Sequence, residues 1–196
     1  MWYKDIKEDG KIVGRETTTT YSEATDYLCG NPTPLFYGGF GASFQWKGFD
    51  VAASFTYQVG GLTMDSGYMS YMTNPIAGAS GKNYHKDIFD AWTPENKDSD
   101  IPRWQFGDQY AASASDRFLT DASYLNFQNA QIGYTLPEYI TRKFKVSRLR
   151  IYAACDNIIY WSQRKGLDPR FSLVGGSNNA VNSPVRTLSG GINITF

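Results

Sequence analysis

The sequence predicts an all-β fold, and three observations support this: its composition, strands with a two-residue period, and connections that alternate in length. The chain has 196 residues and no net charge; 16% of its residues are aromatic and 19 are glycine. Aromatic residues favour strands and glycine favours tight turns, whereas leucine is scarce for a helical protein. A chain without net charge offers no extended basic surface, so we expect no nucleic-acid partner.

Two hairpins are predicted in the first third of the chain. Residues 1–35 contain one candidate hairpin, with its turn at residues 8–10. Residues 36–46 and 51–60 then alternate large apolar side chains with small or polar ones, which predicts two strands of about ten residues. Residues 47–50 separate these runs, and Lys-Gly at positions 47–48 predicts a tight hairpin turn.

Three further strands are predicted in the second half of the chain, over residues 123–136, 149–161 and 185–196. Each of them again shows the two-residue alternation that is typical of a sheet with two different faces. In the first of these strands, Leu125 and Phe127 are out of phase with the later alternation. This slip predicts a β-bulge or a change of environment.

The connections between these strands are short at one end and long at the other. Residues 47–50 and 137–147 are short, and the second of these has room for one helical turn. Residues 61–121 and 162–183 are long, and a structureless loop of that length is uncommon in a compact domain. Short turns opposite long loops are typical of outer-membrane barrels, and strands of about ten residues cross the hydrocarbon layer at a tilt.

The two faces of the predicted strands differ in chemistry. One face is apolar, with aromatic residues near the strand ends, and the other carries Ser, Thr, Gln, Asn, Gly and Arg. This pattern suits a membrane barrel with a polar lumen, and Asp156 would then point to the lumen. A β-sandwich with core aromatics would show the same alternation, so both folds stay open at this point. Five strands cannot close a membrane barrel, because the smallest bacterial examples have about eight.

A family resemblance is carried by six segments in chain order, which are GNPTPLFYGGFGASFQWKGFDVAASFTYQVGG, WTPEN, DIPRWQ, DRFLTDASYLNFQNAQIGYTLP, LRIYAACDNIIYWSQRKGLDPR and SPVRTLSGGINITF. Together, over residues 1–196, they resemble the C-terminal part of SusC/RagA-type TonB-dependent outer-membrane transporters of Bacteroidetes. The resemblance implies a 22-stranded barrel with an N-terminal plug and a SusD-like surface lipoprotein as lid. It also implies import of glycans or peptides with energy from the TonB complex, and location in the outer membrane.

From the resemblance we expect an all-β, antiparallel, up-and-down transmembrane β-barrel segment, with extracellular loops at residues 61–121 and 162–183. The sequence contains no plug and too few strands for the whole barrel, so we expect a wall and loop segment that does not transport alone. The alternative function is a secreted or surface β-sandwich that binds carbohydrate. Phe196 resembles the C-terminal aromatic residue that the outer-membrane assembly machinery recognises, and membrane lipid would cover the apolar face.

No catalytic or metal-binding pattern is found, so we expect no enzymatic activity and no cofactor or metal. His85, the only histidine, lies in the long loop without a neighbouring nucleophile motif. The acidic residues Glu95, Asp98, Asp100 and Asp108 lack the ligand spacing of a calcium loop.

Loop aromatic residues are the candidate ligand-binding groups. Flat rings beside amide and carboxylate groups suit sugar or peptide binding. The ligand-binding candidates are Tyr68, Tyr71, Trp92 and Trp104, within a wider set that also contains Tyr84, Tyr110, Phe118 and Tyr124. The alternative is that these rings only order the loops. Charge pairs within 116–117 and 164–170 are expected at the surface, where such pairs contribute little.

Overall fold

The computed structural model describes residues 2–75, 83–108, 110–111, 113–171 and 183–196. Antiparallel strands dominate these residues and the helices are short, which confirms the all-β prediction. The strands are β1 (Trp2–Glu8), β2 (Lys11–Thr18), β3 (Phe36–Trp46), β4 (Phe49–Val59), β5 (Leu62–Met64), β6 (Leu119–Asp121), β7 (Tyr124–Thr135), β8 (Arg148–Ser162) and β9 (Thr187–Thr195). The α-helices are α1 (Ser66–Tyr71) and α2 (Glu138–Thr141), and 3-10 turns span Tyr21–Glu23, Lys86–Asp90, Asp116–Phe118, Arg142–Phe144 and Pro169–Phe171.

The chain divides into two compact units. The loop unit comprises Met1–Gly30 and Tyr68–Arg117, and the sheet unit comprises Asn31–Gly67 and Phe118–Phe196. The long segment 61–121 is therefore not one structureless loop, because short strands, α1 and 3-10 turns punctuate its described part.

The sheet unit is built on five antiparallel strands in the order β3-β4-β7-β8-β9. Each strand of this sheet pairs with the sheet strands that come directly before and after it in chain order, so the sheet is an up-and-down meander. Both outer strands, β3 and β9, have one partner only among the described residues. We call the end of the sheet with the β3–β4 turn the turn end, and the opposite end the loop end.

Tight turns form where the sequence predicts them. Lys47 and Gly48 both have positive φ angles, of 47° and 90°, as the two-residue turn of a right-twisted hairpin requires. Asp9 and Gly10 do the same in the β1–β2 hairpin, which forms a separate two-stranded sheet. The predicted helical turn at residues 137–147 is α2 with the 3-10 turn that follows it.

A β-bulge explains the phase slip in β7. Ser54 pairs with Asn129 while Phe55 pairs with Phe127, so Gln128 is an extra residue opposite β4. The β7–β8 register also shifts between Phe127 and Asn129. The bulge brings the apolar residues before and after Gln128 onto one face, so this prediction is confirmed.

One face of the five-stranded sheet is apolar, and many of its side chains are exposed. Cross-strand pairs such as Phe44 with Val51 and Ile151 with Ile192 place apolar side chains together across it. Ile132 in β7 is 52% exposed and Leu188 in β9 is 79% exposed. No second sheet covers this face within the described ranges, so it is not the inner face of a sandwich.

Three phenylalanine rings run across the apolar face as a ladder. Phe40 stacks on Phe55 with 5.0 Å between ring centroids, and Phe55 stacks on Phe127 at 4.5 Å. The rings belong to three adjacent strands, so the ladder links β3, β4 and β7 through side chains as well as backbone. The buried hydrophobic residues of the sheet unit lie elsewhere, at Phe118, Ala122 and Leu167.

Candidate functional site

The polar face holds an ion pair near the turn end of the sheet. Arg150 donates from Nε and Nη2 to the two carboxylate oxygens of Asp50, at 2.9 and 2.5 Å. Gly133 lies beneath this pair, and a Cβ there would come within 2.6 Å of both side chains. Glycine therefore leaves room for the pair to cross β7. A concavity of about 540 Å³, lined also by Gln131 and Arg148, opens beside it.

Asp156, farther along the same face, accepts a hydrogen bond from Asn129 Nδ2 at 2.7 Å. Its carboxylate is thus on the polar side of the sheet, as predicted, and away from the apolar face.

A second ion pair anchors the described part of the 162–183 segment at the loop end. Arg170 donates from Nε and Nη2 to Asp168 at 2.7 and 2.5 Å, and its Nη1 donates to Asn126 Oδ1 at 2.9 Å. The guanidinium also lies 4.6 Å from the centroid of the Tyr160 ring. Only 1% of the Asp168 side chain is exposed.

This geometry corrects the expectation of surface charge pairs in the segment 164–170. Asp168–Arg170 is buried, and Arg164 donates to Asp65, a buried residue, at 2.7 Å. Buried pairs hold a structure in place because breaking them leaves an uncompensated charge. Sequence spacing showed the charges, but the burial depends on how the segment folds onto the sheet.

The Asp168 carboxyl has a lowered pKa. Burial would raise the pKa of Asp168, but its hydrogen bonds with Arg170, and the charge of that residue, outweigh burial and lower it. The Arg170 pKa is raised, first by its hydrogen bonds to Asp168. Both residues therefore stay charged at neutral pH.

The four predicted ligand-binding aromatics all lie in the loop unit, but each in a different setting. Tyr68 donates to Asp87 at 2.9 Å and meets His85 edge-on, so it helps to order the loop. Trp104 packs edge-on against Tyr84, with 5.3 Å between ring centroids. The binding role of these rings stays a prediction.

Tyr71 and Trp92 have partly exposed side chains, and their backbones form hydrogen bonds within the loop unit. The Tyr71 carbonyl accepts from the His85 N–H, and the Trp92 N–H donates to the Ile101 carbonyl. Phe118, which the sequence placed among the same candidates, is 1% exposed and belongs to the core of the sheet unit. Its ring is therefore not available to a ligand.

The N-terminal segment is fixed within the loop unit by an aromatic contact and a hydrogen bond. Tyr21 stacks on Tyr110 with 4.7 Å between ring centroids. The Tyr27 hydroxyl donates to Asp116 at 2.7 Å, and this bond raises the pKa of Tyr27 to about 12. Sequence reasoning missed both contacts, because neither residue lies in a recognisable motif.

Metal-binding and nucleophilic groups are scattered. No group of three or more His, Cys, Asp or Glu side chains is placed to hold a metal ion among the residues that the structure describes. His85 accepts the Asp87 N–H at Nδ1, which makes it a cap of the 3-10 turn that follows it. Cys29 and Cys155 are free thiols.

Two features relate to the membrane: the C-terminal residue, Phe196, to which the sequence assigns a role in assembly, and the helices. Phe196 follows directly after β9 and is 87% exposed, and its role as an assembly signal stays a prediction. Within the described ranges, no helix combines the length and the apolar character needed to span a membrane.

Comparison with known proteins shows which proteins this chain is similar to. The chain is 28% identical over 204 residues to TonB-dependent receptor P3 of Formosa agariphila, which covers 99% of this chain and 19% of that receptor. TonB-dependent receptor P26 of the same organism is 26% identical over 178 residues, which covers 86% and 18%. The chain is therefore similar to one segment of TonB-dependent receptors, which supports the resemblance to SusC/RagA-type transporters. No protein-family model matches it.

Solved structures agree with this SusC/RagA-like resemblance. A chain of the RagAB peptide importer in its open-open state has a TM-score of 0.71 and 25% identity, covering 98% of this chain and 20% of that one. The closed-closed state of the same importer gives a TM-score of 0.73 and 27% identity, covering 100% and 21%. The SusC/RagA-like chain thus spans about a fifth of the length of the proteins it matches. Its open five-stranded sheet is a partial barrel.

Proposed function

We propose that the chain supplies part of the wall and the outer loops of an outer-membrane, TonB-dependent importer. One observation carries this proposal: a single open sheet has an exposed apolar face without charged residues and a polar opposite face. In water such an apolar face would associate or aggregate, whereas lipid covers it. Outer-membrane barrels have short periplasmic turns, so the turn end faces the periplasm and the loop end faces outward.

Peptides are the cargo that we propose, with glycans as the alternative class. Support comes from the RagAB importer, which is described as a peptide importer. A segment of about a fifth of its chain matches nearly all of this chain. A SusD-like lipoprotein would act as the lid, and the TonB complex would supply energy through a plug domain. Segments 61–121 and 162–183 would form extracellular loops. Five strands leave both sheet edges unpaired, so the chain alone would not transport.

A β-sandwich that binds carbohydrate is disfavoured. Such a module would cover the apolar face with a second sheet, yet Phe44 and Ile192 on that face are 65% and 61% exposed. The strands β3 and β4, which carry many of the aromatic rings of the apolar face, are each 11 residues long. Strands of this length can cross the hydrocarbon layer, so lipid accounts for the cover of these rings without a second sheet.

The membrane orientation can be tested with paired cysteine substitutions. In a background where Cys29 and Cys155 are replaced by serine, Ile132→Cys and Gln131→Cys place a thiol on opposite faces of β7. In outer-membrane vesicles, a lipid-soluble maleimide should label Ile132→Cys and a water-soluble maleimide should label Gln131→Cys. Equal labelling of both thiols by the water-soluble reagent would contradict the proposal.

The cargo can be tested in a hybrid importer. The matching stretch of RagAB is replaced by this chain, and uptake of a peptide mixture is compared with uptake of maltodextrin. Peptide uptake in preference to maltodextrin supports the proposed cargo. The opposite preference, in a hybrid that reaches the outer membrane in normal amount, would assign the chain to glycan import.

A further inference from the structure

A small pocket lies inside the loop unit, and most of its lining is apolar. Met72, Ile88 and Ile101 line it together with Trp104 and Arg117. Its free volume, counted as the space that the centre of a water molecule can occupy, is about 10 Å³. Because one oxygen atom fills such a space, the pocket suits a single small polar group rather than a whole side chain or sugar ring.

One polar side chain in this pocket has no partner. Asn74 lines the pocket and is 3% exposed, and its Nδ2 makes no hydrogen bond among the described residues. Buried amide donors are nearly always paired, and leaving one unpaired costs about 1–3 kcal/mol. An acceptor oxygen that enters the pocket would therefore be stabilised by a hydrogen bond from the Asn74 amide.

The other polar side chains of the lining are donors as well. Trp104 carries an indole N–H, Arg117 carries a guanidinium that donates from Nη1 to the Ala111 carbonyl at 3.2 Å, and no carboxylate or hydroxyl lines the described pocket. Arg117 is half-buried, and burial lowers its pKa, with Tyr68 acting in the opposite direction. A partly desolvated cation strengthens the preference for an acceptor.

This lining distinguishes a carbonyl from a hydroxyl. A carbonyl oxygen only accepts, so the Asn74 amide can satisfy it. A sugar hydroxyl would also need an acceptor for its own O–H, and the Asn74 amide oxygen is the only side-chain acceptor in the described lining; a buried unpaired hydroxyl is costly. Trp104 is 40% exposed, so its ring can also contact the apolar atoms next to a bound carbonyl.

We propose that Asn74 and Trp104 form a subsite that binds a backbone carbonyl oxygen of the peptide cargo. This inference rests on the proposed function, because it takes the loop unit to face the cargo. It assigns different tasks to the two residues. Asn74 donates the hydrogen bond that selects an acceptor, and Trp104 provides the surface on which the neighbouring part of the peptide rests.

The test uses the full chain in detergent micelles and two small probes, with amide signals followed by nuclear magnetic resonance. N-methylacetamide stands for a peptide bond and methyl β-glucoside for a sugar. The Asn74 side-chain amide, identified by its loss in Asn74→Leu, should shift saturably with N-methylacetamide and not with the glucoside. Asn74→Leu should weaken binding of N-methylacetamide about fivefold, as expected for loss of one hydrogen bond.

Two further measurements separate a ligand subsite from a merely structural position. Trp104→Leu should weaken binding, whereas Trp161→Leu, at a partly exposed tryptophan of the sheet unit, should not. Asn74→Leu should not lower the unfolding midpoint, since it removes an unpaired donor. A lower midpoint with an unchanged titration would mean that a bound water fills the pocket, and would overturn the proposal. If the subsite binds N-methylacetamide but the hybrid importer takes up only maltodextrin, the subsite stands and the proposed peptide cargo fails.

Discussion

The apolar and polar faces of the five-stranded sheet share one backbone and differ in every other respect. The apolar face has no charged side chain, whereas the polar face holds Asp50, Arg148, Arg150 and Asp156. Where the polar face and the segment folded against it bury charge most deeply, as at Asp168–Arg170, the carboxylate is paired. Under the proposed membrane location, lipid on one face and water on the other account for this difference in side chains.

The largest effect is expected where buried charge depends on its partner. Arg170→Leu leaves the Asp168 carboxylate buried without its cation, so we expect a loss of about 3 kcal/mol in the free energy of unfolding. Denaturant unfolding in micelles, followed by tryptophan fluorescence, measures it. Arg142→Leu is the matched control, because its pair with Glu138 is exposed and should contribute almost nothing. Equal effects of the two substitutions would contradict the burial argument.

A charge placed on the apolar face should be almost as harmful. Ala130→Lys puts an ammonium group into lipid near the middle of β7, where the expected cost is about 2–4 kcal/mol. The adjacent Gln131→Lys faces the polar concavity and should insert normally. Membrane insertion measured by protease protection tests both. If the two lysines behave alike, the two faces do not have different solvents.

Two strand glycines sharpen the comparison further. Gly133→Ala places a Cβ against the Asp50–Arg150 pair, and these side chains must shift, so we expect a loss of about 1 kcal/mol. On the apolar face, a Cβ at Gly190 meets only the Tyr152 carbonyl oxygen, at an ordinary 3.5 Å. Gly190→Ala should therefore leave the unfolding midpoint unchanged or slightly raised. A loss in both variants would show that flexibility, and not space, is what these glycines provide.

The smallest expected effect is a change with pH. The folded-state pKa of Asp168 is lowered, so its contribution is complete above the ordinary carboxyl pKa near 4 and is lost as the pH falls through the folded value. Asp168→Asn removes this dependence. The wild-type unfolding midpoint should fall more than the variant midpoint between pH 6 and pH 3. If the wild-type and variant midpoints fall equally with pH, the Arg170 guanidinium does not stabilise the Asp168 carboxylate.

Much of the sheet was predictable because alternation and turn chemistry are local. The hairpin turns at residues 9–10 and 47–48 and the bulge in β7 all follow from short stretches of sequence. The final strand is shorter than expected, since Val185 and Arg186 precede it and Phe196 follows it. Strand ends depend on pairing with the neighbour, which no single stretch encodes.

The loop contacts were beyond sequence reasoning, because they join distant residues. Tyr27 meets Asp116 across 89 positions, and Arg170 reaches Asn126 across 44. Asn74 has no motif at all and becomes notable only when its burial is known. Composition indicated that loop aromatics were present, but not which of them would be buried, like Phe118, or left open, like Trp104.

The bulge at Gln128 has a consequence for the curvature of the wall. The β4–β7 and β7–β8 registers both shift at this level, so the strands above and below it differ in stagger. In a closed sheet, stagger and strand number together determine tilt and radius. The loop-end and turn-end halves of this sheet therefore differ in stagger, and β7 bends and twists more strongly at Gln128.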